Sequence, residues 1–191
     1  MAVFGCIADD FTGASDAASF LVKGGMSVRL YNGIPERPED GDSAQAIVIA
    51  LKSRTQETAQ AVDDSLRAAR FLLNQGARQL YFKYCSTFDS TPKGNIGPVA
   101  DALMDLMDVP CTILCPAPVN GRTVEHGHLM VNGVPLHESH MKNHPLTPMW
   151  DSSISRLMEP QSQWPCIPME DPSSFSLEKA AEKAGARRFY I

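Results

Sequence analysis

The fold is decided by the stretch Val3-Phe-Gly-Cys-Ile-Ala-Asp-Asp-Phe-Thr-Gly-Ala-Ser-Asp-Ala-Ala-Ser-Phe-Leu-Val22. Its first six residues are apolar and lack a helical period, so they predict a strand. Two acids follow, and then apolar residues recur at helical spacing from Ala14 to Val22, which predicts a helix. A strand, a polar loop and a helix in this order are typical of the α/β class.

The same alternation continues toward the middle of the chain. Further strands are predicted at 27–31, 46–51, 79–84 and 111–115, and further helices at 55–74 and 94–107. Residues 46–51 are continuously aliphatic, as expected of a parallel strand that is covered on both faces. We therefore predict an open, mostly parallel α/β sheet with helices on both faces.

A different pattern begins after residue 118. Asn132-Gly133 lies between two short apolar runs, which predicts a hairpin with a two-residue turn. Residues 142–172 are rich in Pro, Ser and Met and predict loops with one helix near 152–159. A helix at 176–184 and a strand at 187–191 follow. We therefore expect a small hairpin and loop region after the main sheet.

Composition and charge exclude several classes of protein. The 191 residues include 17 Lys and Arg against 22 Asp and Glu, a net charge of −5, whereas nucleic-acid binders normally carry a basic excess. The longest plainly apolar stretch, 46–51, is far shorter than the ~20 residues that span a bilayer. The first residues also lack the basic region of a signal peptide. We predict a cytoplasmic protein that binds neither nucleic acid nor membrane, and we leave homo-oligomer formation open.

The cysteines and histidines match no known metal pattern. The five cysteines include no C-x-x-C pair, so we predict reduced thiols. All five histidines lie within residues 126–144, but their spacing fits neither H-E-x-x-H nor a Cys/His zinc pattern. We predict polar loop histidines and no metal site. A metal site and a substrate contact by His128 are the alternatives.

Polar side chains follow four of the predicted strands, at the edge where open α/β sheets bind ligands. Several of them are basic although the protein is acidic, which favours a small anionic ligand such as a carboxylate or a phosphate ester. The candidates are Asp9, Asp10, Thr12, Gly13, Lys52, Arg54, Lys83, Ser86, Asp89, Ser90 and Arg122.

Each candidate also has a purely structural interpretation. The acids of the first loop can cap the following helix, the basic residues can lie on solvated turns or form salt bridges, and the serines can be turn formers. We favour a ligand site because four separate loops agree.

The motifs of haloacid-dehalogenase phosphatases and of glycine-rich nucleotide-binding loops are absent from the sequence. Haloacid-dehalogenase phosphatases need D-x-D after the first strand, whereas Asp9 and Asp10 are adjacent. The thirteen glycines form neither G-x-x-x-x-G-K-[ST] nor G-x-G-x-x-G, so no recognisable phosphate loop is present.

Four segments at these same positions resemble the N-terminal domain of the four-carbon acid sugar kinases. The segments are Ile7-Ala-Asp-Asp-Phe-Thr-Gly-Ala-Ser-Asp16, Leu51-Lys-Ser-Arg-Thr55, Phe82-Lys-Tyr-Cys-Ser-Thr-Phe-Asp-Ser-Thr-Pro-Lys-Gly-Asn-Ile-Gly-Pro98 and Asn120-Gly-Arg-Thr-Val124. The long third segment is most similar to the 3-oxo-tetronate kinase branch. One departure from the family pattern is a loop one residue shorter before Asn120, which would shift Arg122.

The resemblance implies a sugar-acid-binding α/β domain at 1–162. Residues 163–191 would then be a linker and the start of a truncated C-terminal nucleotide-binding domain, so that the chain is either a fragment or a truncated product. ATP and Mg²⁺ are expected to bind mainly on that absent domain. The implied reaction is ATP-dependent phosphorylation of the terminal O4 hydroxyl of a 3-oxo-tetronate. A non-catalytic sugar-acid-binding module is the alternative.

The resemblance also implies roles for the candidate residues. Asp10 would orient or deprotonate the O4 hydroxyl, with Asp89 as the alternative base, and Asp9 would position Asp10 or a magnesium-bound water. The carboxylate of the sugar acid would be held by Lys52, Arg54 and Arg122. The other substrate-binding residues would be Thr12, Gly13, Lys83, Ser86 and Ser90, of which the last three would bind hydroxyl or carbonyl groups.

Overall fold

The computed structural model of the chain describes residues 3–37, 44–117, 121–169, 171 and 173–191. The chain divides into two compact units, Met1–Tyr84 and Cys85–Ile191. We call them the N-terminal and the C-terminal unit. None of the helices in the described ranges has the length and apolar character needed to cross a bilayer.

The N-terminal unit contains a four-stranded parallel sheet with the strand order β2-β3-β1-β4. Its elements are β1 Phe4–Ala8, α1 Phe11–Lys23, β2 Val28–Asn32, β3 Ala46–Ala50, α2 Thr58–Asn74 and β4 Gln79–Lys83. The predicted parallel α/β sheet is confirmed. The second helix begins at Thr58, three residues later than expected, because Glu57 is its N-cap and accepts the Gln60 N–H.

The two helices of this unit cover opposite faces of the sheet. Cys6 and Ala8 of β1 pack in one core cluster with Ala14 and Ala17 of α1. A Cβ atom added at Gly5 would instead lie 3.1 Å from Leu72 of α2. Since neighbouring strand residues point to opposite faces, α1 and α2 lie on different sides of β1. Small residues on both sides of the contact bring α1 close to the strand ends.

The C-terminal unit is built from short elements. They are α3 Ile96–Met107, β5 Cys111–Thr112, β6 Arg122–Glu125, β7 His128–Val131, β8 Val134–Pro135, α4 Ile154–Met158, α5 Leu177–Ala184 and β9 Phe189–Tyr190, with 3₁₀ turns at Leu136–Glu138 and His140–Asn143. Strands β6, β7 and β8 form an antiparallel sheet. The predicted hairpin is present, and Asn132 and Gly133 both have positive φ, as its turn requires.

One strand is not where the sequence places it. We expected residues 111–115 to form a strand of the main sheet, but β5 has two residues and pairs in parallel with β9. The two strands make a separate sheet. Of the four loops that carry the candidate residues, therefore, only those after β1, β3 and β4 leave the carboxyl edge of the four-stranded sheet in the described part of the chain.

The last strand is anchored to α3 through buried polar groups. The Tyr190 hydroxyl and the Ser162 Oγ both donate to Asp101 Oδ1, and the Gln163 N–H donates to Oδ2 at 3.0 Å. Asp101 is itself buried. Hydrogen bonds therefore connect residues on both sides of position 162. The domain boundary placed there by the resemblance stays a prediction.

Candidate functional site

Strands β1, β3 and β4 end at one edge of the parallel sheet, and the residues that follow them lie together. The Asp9 N–H donates to the Lys83 carbonyl at 3.0 Å, and the Leu51 N–H donates to the Ala8 carbonyl at 2.8 Å. We call Asp9, Asp10, Gly13, Arg54 and Lys83 the edge cluster. The structure thus brings together five of the predicted site residues within the N-terminal unit.

Asp10 is the N-cap of α1. Its Oδ1 accepts the Gly13 N–H at 2.6 Å, which satisfies one of the free donors at the start of the helix. A Cβ atom on Gly13 would lie only 2.7 Å from this same oxygen. Glycine at position 13 therefore permits the close approach of the Asp10 carboxylate to the first turn.

Arg54 connects the two acids. Its Nε and Nη2 donate to Asp9 at 3.0 and 2.8 Å, while its Nη1 lies 2.8 Å from Asp10 Oδ2. A planar guanidinium suits such a bidentate contact with a carboxylate. The partner that the sequence assigned to Arg54 was a ligand carboxylate, and that role stays a prediction.

The two acids differ in burial. The side chain of Asp9 is 5% exposed and that of Asp10 is 31% exposed. Burial raises the pKa of the Asp9 carboxyl, although its hydrogen bonds with Arg54 and the nearby positive charges oppose this shift. Asp10 is therefore the carboxylate that solvent, and hence a ligand, reaches more easily.

Lys83 is a buried cation in the edge cluster, with 8% of its surface exposed. Its Nζ donates to the Tyr84 carbonyl at 2.9 Å and would lie 3.4 Å from a Cβ atom on Gly13. Lys83 forms no ion pair with any residue in the described parts of the chain. Lys83 and Asp9 attract each other at more than ion-pair distance, so the buried ammonium can still take a directly bound anionic ligand.

Two other candidates of the N-terminal unit lie outside the cluster. Thr12 is in the first turn of α1 and Lys52 is in the loop after β3, and both are exposed. Their assignment to a ligand stays a prediction, and no described contact draws either side chain toward the carboxylates.

Asp89 and Ser90 belong to the C-terminal unit and differ in their bonding. Asp89 Oδ1 is buried without a hydrogen-bond partner among the described residues, and His144 Nδ1 is 3.8 Å away. That nitrogen accepts the Thr147 N–H at 3.1 Å, so it carries no proton for Asp89. Ser90 is buried and donates to Gln161 Oε1 at 3.1 Å, which gives it a structural partner.

For Ser86 and Arg122, the remaining candidates of this unit, the structure gives a position and a degree of burial. Ser86 is half-buried in the turn that precedes α3, and Arg122 is half-buried at the start of β6. Asn120, in the same loop as Arg122, lies outside the described residues, so the effect of the shortened loop stays a prediction.

Sequence reasoning missed two partners in the C-terminal unit. Gln161 accepts from Ser90 and from the Gly97 N–H, and His144 lies beside Asp89. Both partners are more than fifty residues away along the chain and belong to no motif, so no local pattern marks them.

The cluster does not fit a magnesium ion. Both of its carboxylates contact the Arg54 guanidinium, whose positive charge repels a divalent cation. Across the described ranges, no group of three or more His, Cys, Asp or Glu side chains lies close enough to hold a metal. We therefore derive no step of the chemistry through a metal on this chain.

The chain matches a family model described as the sugar-binding N-terminal domain, over residues 4–188. The chain belongs to this family. Curated relatives of this sugar-binding domain are named 3-oxo-tetronate kinase. The one from Brucella melitensis is 55% identical over 160 residues, which are 83% of this chain and 36% of the relative. The resemblance seen in the sequence is confirmed.

Solved structures of similar proteins agree with the fold. A Haemophilus influenzae protein of the DUF1537 family superposes with a TM-score of 0.87 at 47% identity, covering 98% of this chain and 47% of that one. A Bordetella bronchiseptica DUF1537 protein has a TM-score of 0.75 at 27% identity, covering 98% of this chain and 46% of that one. Its structure holds citrate and is a domain-swapped dimer. The chain thus spans less than half the length of each of these relatives.

Proposed function

We propose that this chain binds the sugar acid for an ATP-dependent kinase that phosphorylates the O4 hydroxyl of a 3-oxo-tetronate. The proposal rests on the identity to 3-oxo-tetronate kinases, and one observation of the site carries it. The accessible carboxylate of Asp10 and the buried ammonium of Lys83 both lie next to Gly13, within 2.7 and 3.4 Å of the position that a Cβ atom would take there. The part of the enzyme that binds the sugar acid needs a base and an anion-binding group, and this chain has both at one edge of its parallel sheet.

Lys83 is the group that we assign to the negative charge of the ligand. Its ammonium has donors left after the bond to Tyr84, and a carboxylate would compensate its burial. The citrate in the Bordetella protein supports the ligand class, because citrate is a small hydroxylated carboxylic acid.

Asp10 is the group that we assign to the reacting hydroxyl. Oδ1 accepts one hydrogen bond and Oδ2 forms one ion-pair contact, and a carboxylate oxygen has a second lone pair that can accept a ligand hydroxyl. In the proposed step, the O4 proton moves to Asp10, O4 forms a bond to the γ-phosphorus of ATP, and the bond from that phosphorus to ADP breaks. Phosphoryl transfer of this kind depends mostly on positioning and charge stabilisation.

The nucleotide is assigned to a region outside this chain. The matched residues are 36% of the Brucella kinase, and the thirteen glycines form no phosphate loop. This assignment includes the proposal that residues 163–191 lead toward a nucleotide-binding domain.

An assay of ADP release tests the function in a full-length kinase that contains this chain. We expect ADP release that depends on a 3-oxo-tetronate, and a product that carries phosphate on O4. Binding of the acid without any ADP release would instead support the alternative, a sugar-acid-binding module without catalysis. If the protein neither bound the acid nor released ADP, both functions would be contradicted.

A further inference from the structure

We propose that Arg54 is a positioning residue that holds the Asp10 carboxylate in place, and that it does not bind the carboxylate of the substrate. This inference rests on the proposed function, in which Asp10 receives the O4 proton. It changes the role that the sequence suggested for Arg54, and it names a residue that would affect the rate without contacting the ligand.

The hydrogen-bonding capacity of Arg54 is directed at the protein. All three of its side-chain nitrogens contact carboxylate oxygens of Asp9 or Asp10, at 2.8 to 3.0 Å. A ligand carboxylate on this guanidinium would have to displace one of these acids or lie beside both of them. The guanidinium already has two negative partners, whereas Lys83 forms no salt bridge with any described residue, so a ligand carboxylate is favoured at Lys83 over Arg54.

The contacts also fix the orientation of Arg54. Asp9 takes two of the three nitrogens and is buried, and the backbone N–H of Arg54 donates to the Asp9 carbonyl at 3.3 Å. The third nitrogen, Nη1, lies 2.8 Å from Asp10 Oδ2. Asp9 therefore orients Arg54, and Arg54 in turn orients Asp10.

Asp10 is held from two sides as a result. Oδ1 accepts the Gly13 N–H and Oδ2 faces Arg54, so both oxygens have a fixed partner. A base that is fixed in this way is already oriented when the hydroxyl binds, so the reaction carries no free-energy cost for reorienting it. Without Arg54, the Asp10 carboxylate keeps only the hydrogen bond from the Gly13 N–H, and it can rotate about that hydrogen bond.

The Gly13 amide gives a direct readout of this arrangement in the chain itself. Its N–H donates to Asp10, so its proton chemical shift follows the position of that carboxylate. The test substitution is Arg54→Lys, which keeps the positive charge but cannot contact two carboxylates with three nitrogens. The matched control is Arg70→Lys, an exposed arginine of α2 in the same unit.

We expect Arg54→Lys to move the Gly13 amide resonance far more than Arg70→Lys does. In an Asp10→Asn background, the same substitution should move it little, because the effect passes through the carboxylate. Equal shifts in the two arginine variants, or an effect of Arg54→Lys that persists without the Asp10 carboxylate, would overturn the inference. These spectra need no ligand, so they stand even if the proposed function fails.

Titration calorimetry with threonate, a four-carbon hydroxy acid, separates positioning from anchoring. We expect the Kd of Arg54→Lys to stay within about threefold of the parent value, whereas loss of a charged hydrogen bond to the ligand would weaken binding by about tenfold or more. In the full-length kinase, kcat should fall with KM nearly unchanged. A tenfold loss of affinity with unchanged kcat would assign Arg54 to the substrate and contradict us.

A second variant covers the case in which Arg54→Lys does not fold. Asp9→Asn removes the charge that orients Arg54 but keeps the shape of the side chain. The same shift of the Gly13 amide with retained threonate affinity supports the chain of contacts, and an unmoved amide contradicts it. Failure of the parent chain to bind threonate would count against the proposed function alone.

Discussion

Two neighbouring aspartates in one loop show how burial and contacts divide chemical roles at the scale of single residues. Asp9 follows β1 directly and is buried, and both of its carboxylate oxygens accept hydrogen bonds from Arg54. Asp10 is one residue further along, caps α1, and keeps part of its surface exposed. The same side chain is thus a structural anion at position 9 and a candidate base at position 10.

We expect Asp10→Asn in the full-length kinase to lower kcat by about 10²–10⁴-fold with a small change in KM. Asparagine keeps the size of the side chain and caps a helix as well as aspartate does, but it cannot accept the hydroxyl proton. Steady-state kinetics give both constants, and thermal unfolding checks that the cap survives. A capping role alone would leave both kinetics and stability near normal.

The matched variant is Asp89→Asn. Asp89 is the alternative base, with a buried oxygen that has no hydrogen-bond partner among the described residues. We expect a smaller loss of kcat than for Asp10→Asn. The reverse order of the two losses would move the base to Asp89 and leave the first loop as a scaffold.

The cysteines give a second residue-scale prediction. Burial raises the pKa of the Cys6 thiol to about 12, against the opposing charge of Lys83, and burial raises that of Cys166 to about 11. Cys115 is exposed. Because the thiolate is the reactive form, we expect iodoacetamide at pH 8 to modify Cys115 first and Cys6 and Cys166 last.

Peptide mapping by mass spectrometry measures the order of alkylation. Unfolded protein in guanidinium is the control, in which all five thiols should react at similar rates. Labelling of Cys6 in the native protein as fast as that of Cys115 would show that the core around β1 opens readily.

At the scale of elements, the N-terminal unit was predictable because each of its signals is local. Strand β3 Ala46–Ala50 ends within one residue of its predicted end, and α1 begins directly after Asp10, which is its N-cap. Strand order is different. The sequence does not reveal that β3 lies between β1 and β2, because that order depends on which faces pack together.

The short strands of the C-terminal unit show where local patterns fail. β6 Arg122–Glu125 was missed, since Arg-Thr-Val-Glu contains a single aliphatic residue and no clear alternation. β5 was placed in the main sheet because its apolar run resembles the others. Its partner β9 is more than seventy residues later in the chain, and no local pattern encodes that pairing.

We expect Tyr190→Phe to lower the free energy of unfolding by about 1.5–3 kcal/mol at pH 7, the range for a hydrogen bond to a charged group. The substitution removes the bond from the Tyr190 hydroxyl to Asp101, which anchors β9 to α3. Urea unfolding measures the change. Tyr31→Phe is the control, because the Tyr31 ring packs edge-on against Phe71 and the substitution keeps that ring.

The same tyrosine gives a pH dependence. Burial, followed by the contact with Asp101, raises the pKa of Tyr190 above its ordinary value. The unfolded chain therefore loses this proton first as pH rises past about 10, so stability should fall above that pH. The fall should be steeper for the parent than for Tyr190→Phe. Equal slopes would mean that the native phenol titrates normally.

At the scale of the whole molecule, the sequence predicted the residue types of the site better than their partners. It placed Asp10, Arg54 and Lys83 at strand ends, and the structure brings them to one edge within the N-terminal unit. The contacts of Arg54 with Asp9 and Asp10 join positions more than 40 residues apart, and the burial of Lys83 depends on packing around it. Neither property is encoded by a local pattern, so the sequence could not predict that Arg54 contacts both acids. The ligand contact predicted for Arg54 stays a prediction.

The last prediction follows from the proposal that this chain binds the acid and that the nucleotide binds outside it. We expect the purified 191-residue chain to bind threonate in calorimetry but to release no ADP near ordinary enzyme rates of about 1 s⁻¹ or more. The groups proposed to bind the acid, the Asp10 carboxylate and the Lys83 ammonium, lie on this chain, whereas its sequence has no recognisable phosphate loop and the matched residues are 36% of the Brucella kinase.

Both measurements use one preparation, so that folding is common to them. Lys83→Met is the informative variant, because it removes the ammonium and keeps much of the side-chain volume, and it should weaken threonate binding by about tenfold or more. Turnover near 1 s⁻¹ by the chain alone would mean that a nucleotide site exists within these 191 residues. Unchanged threonate affinity in Lys83→Met would mean that the buried ammonium faces no ligand, and the acid would have to bind elsewhere on the chain.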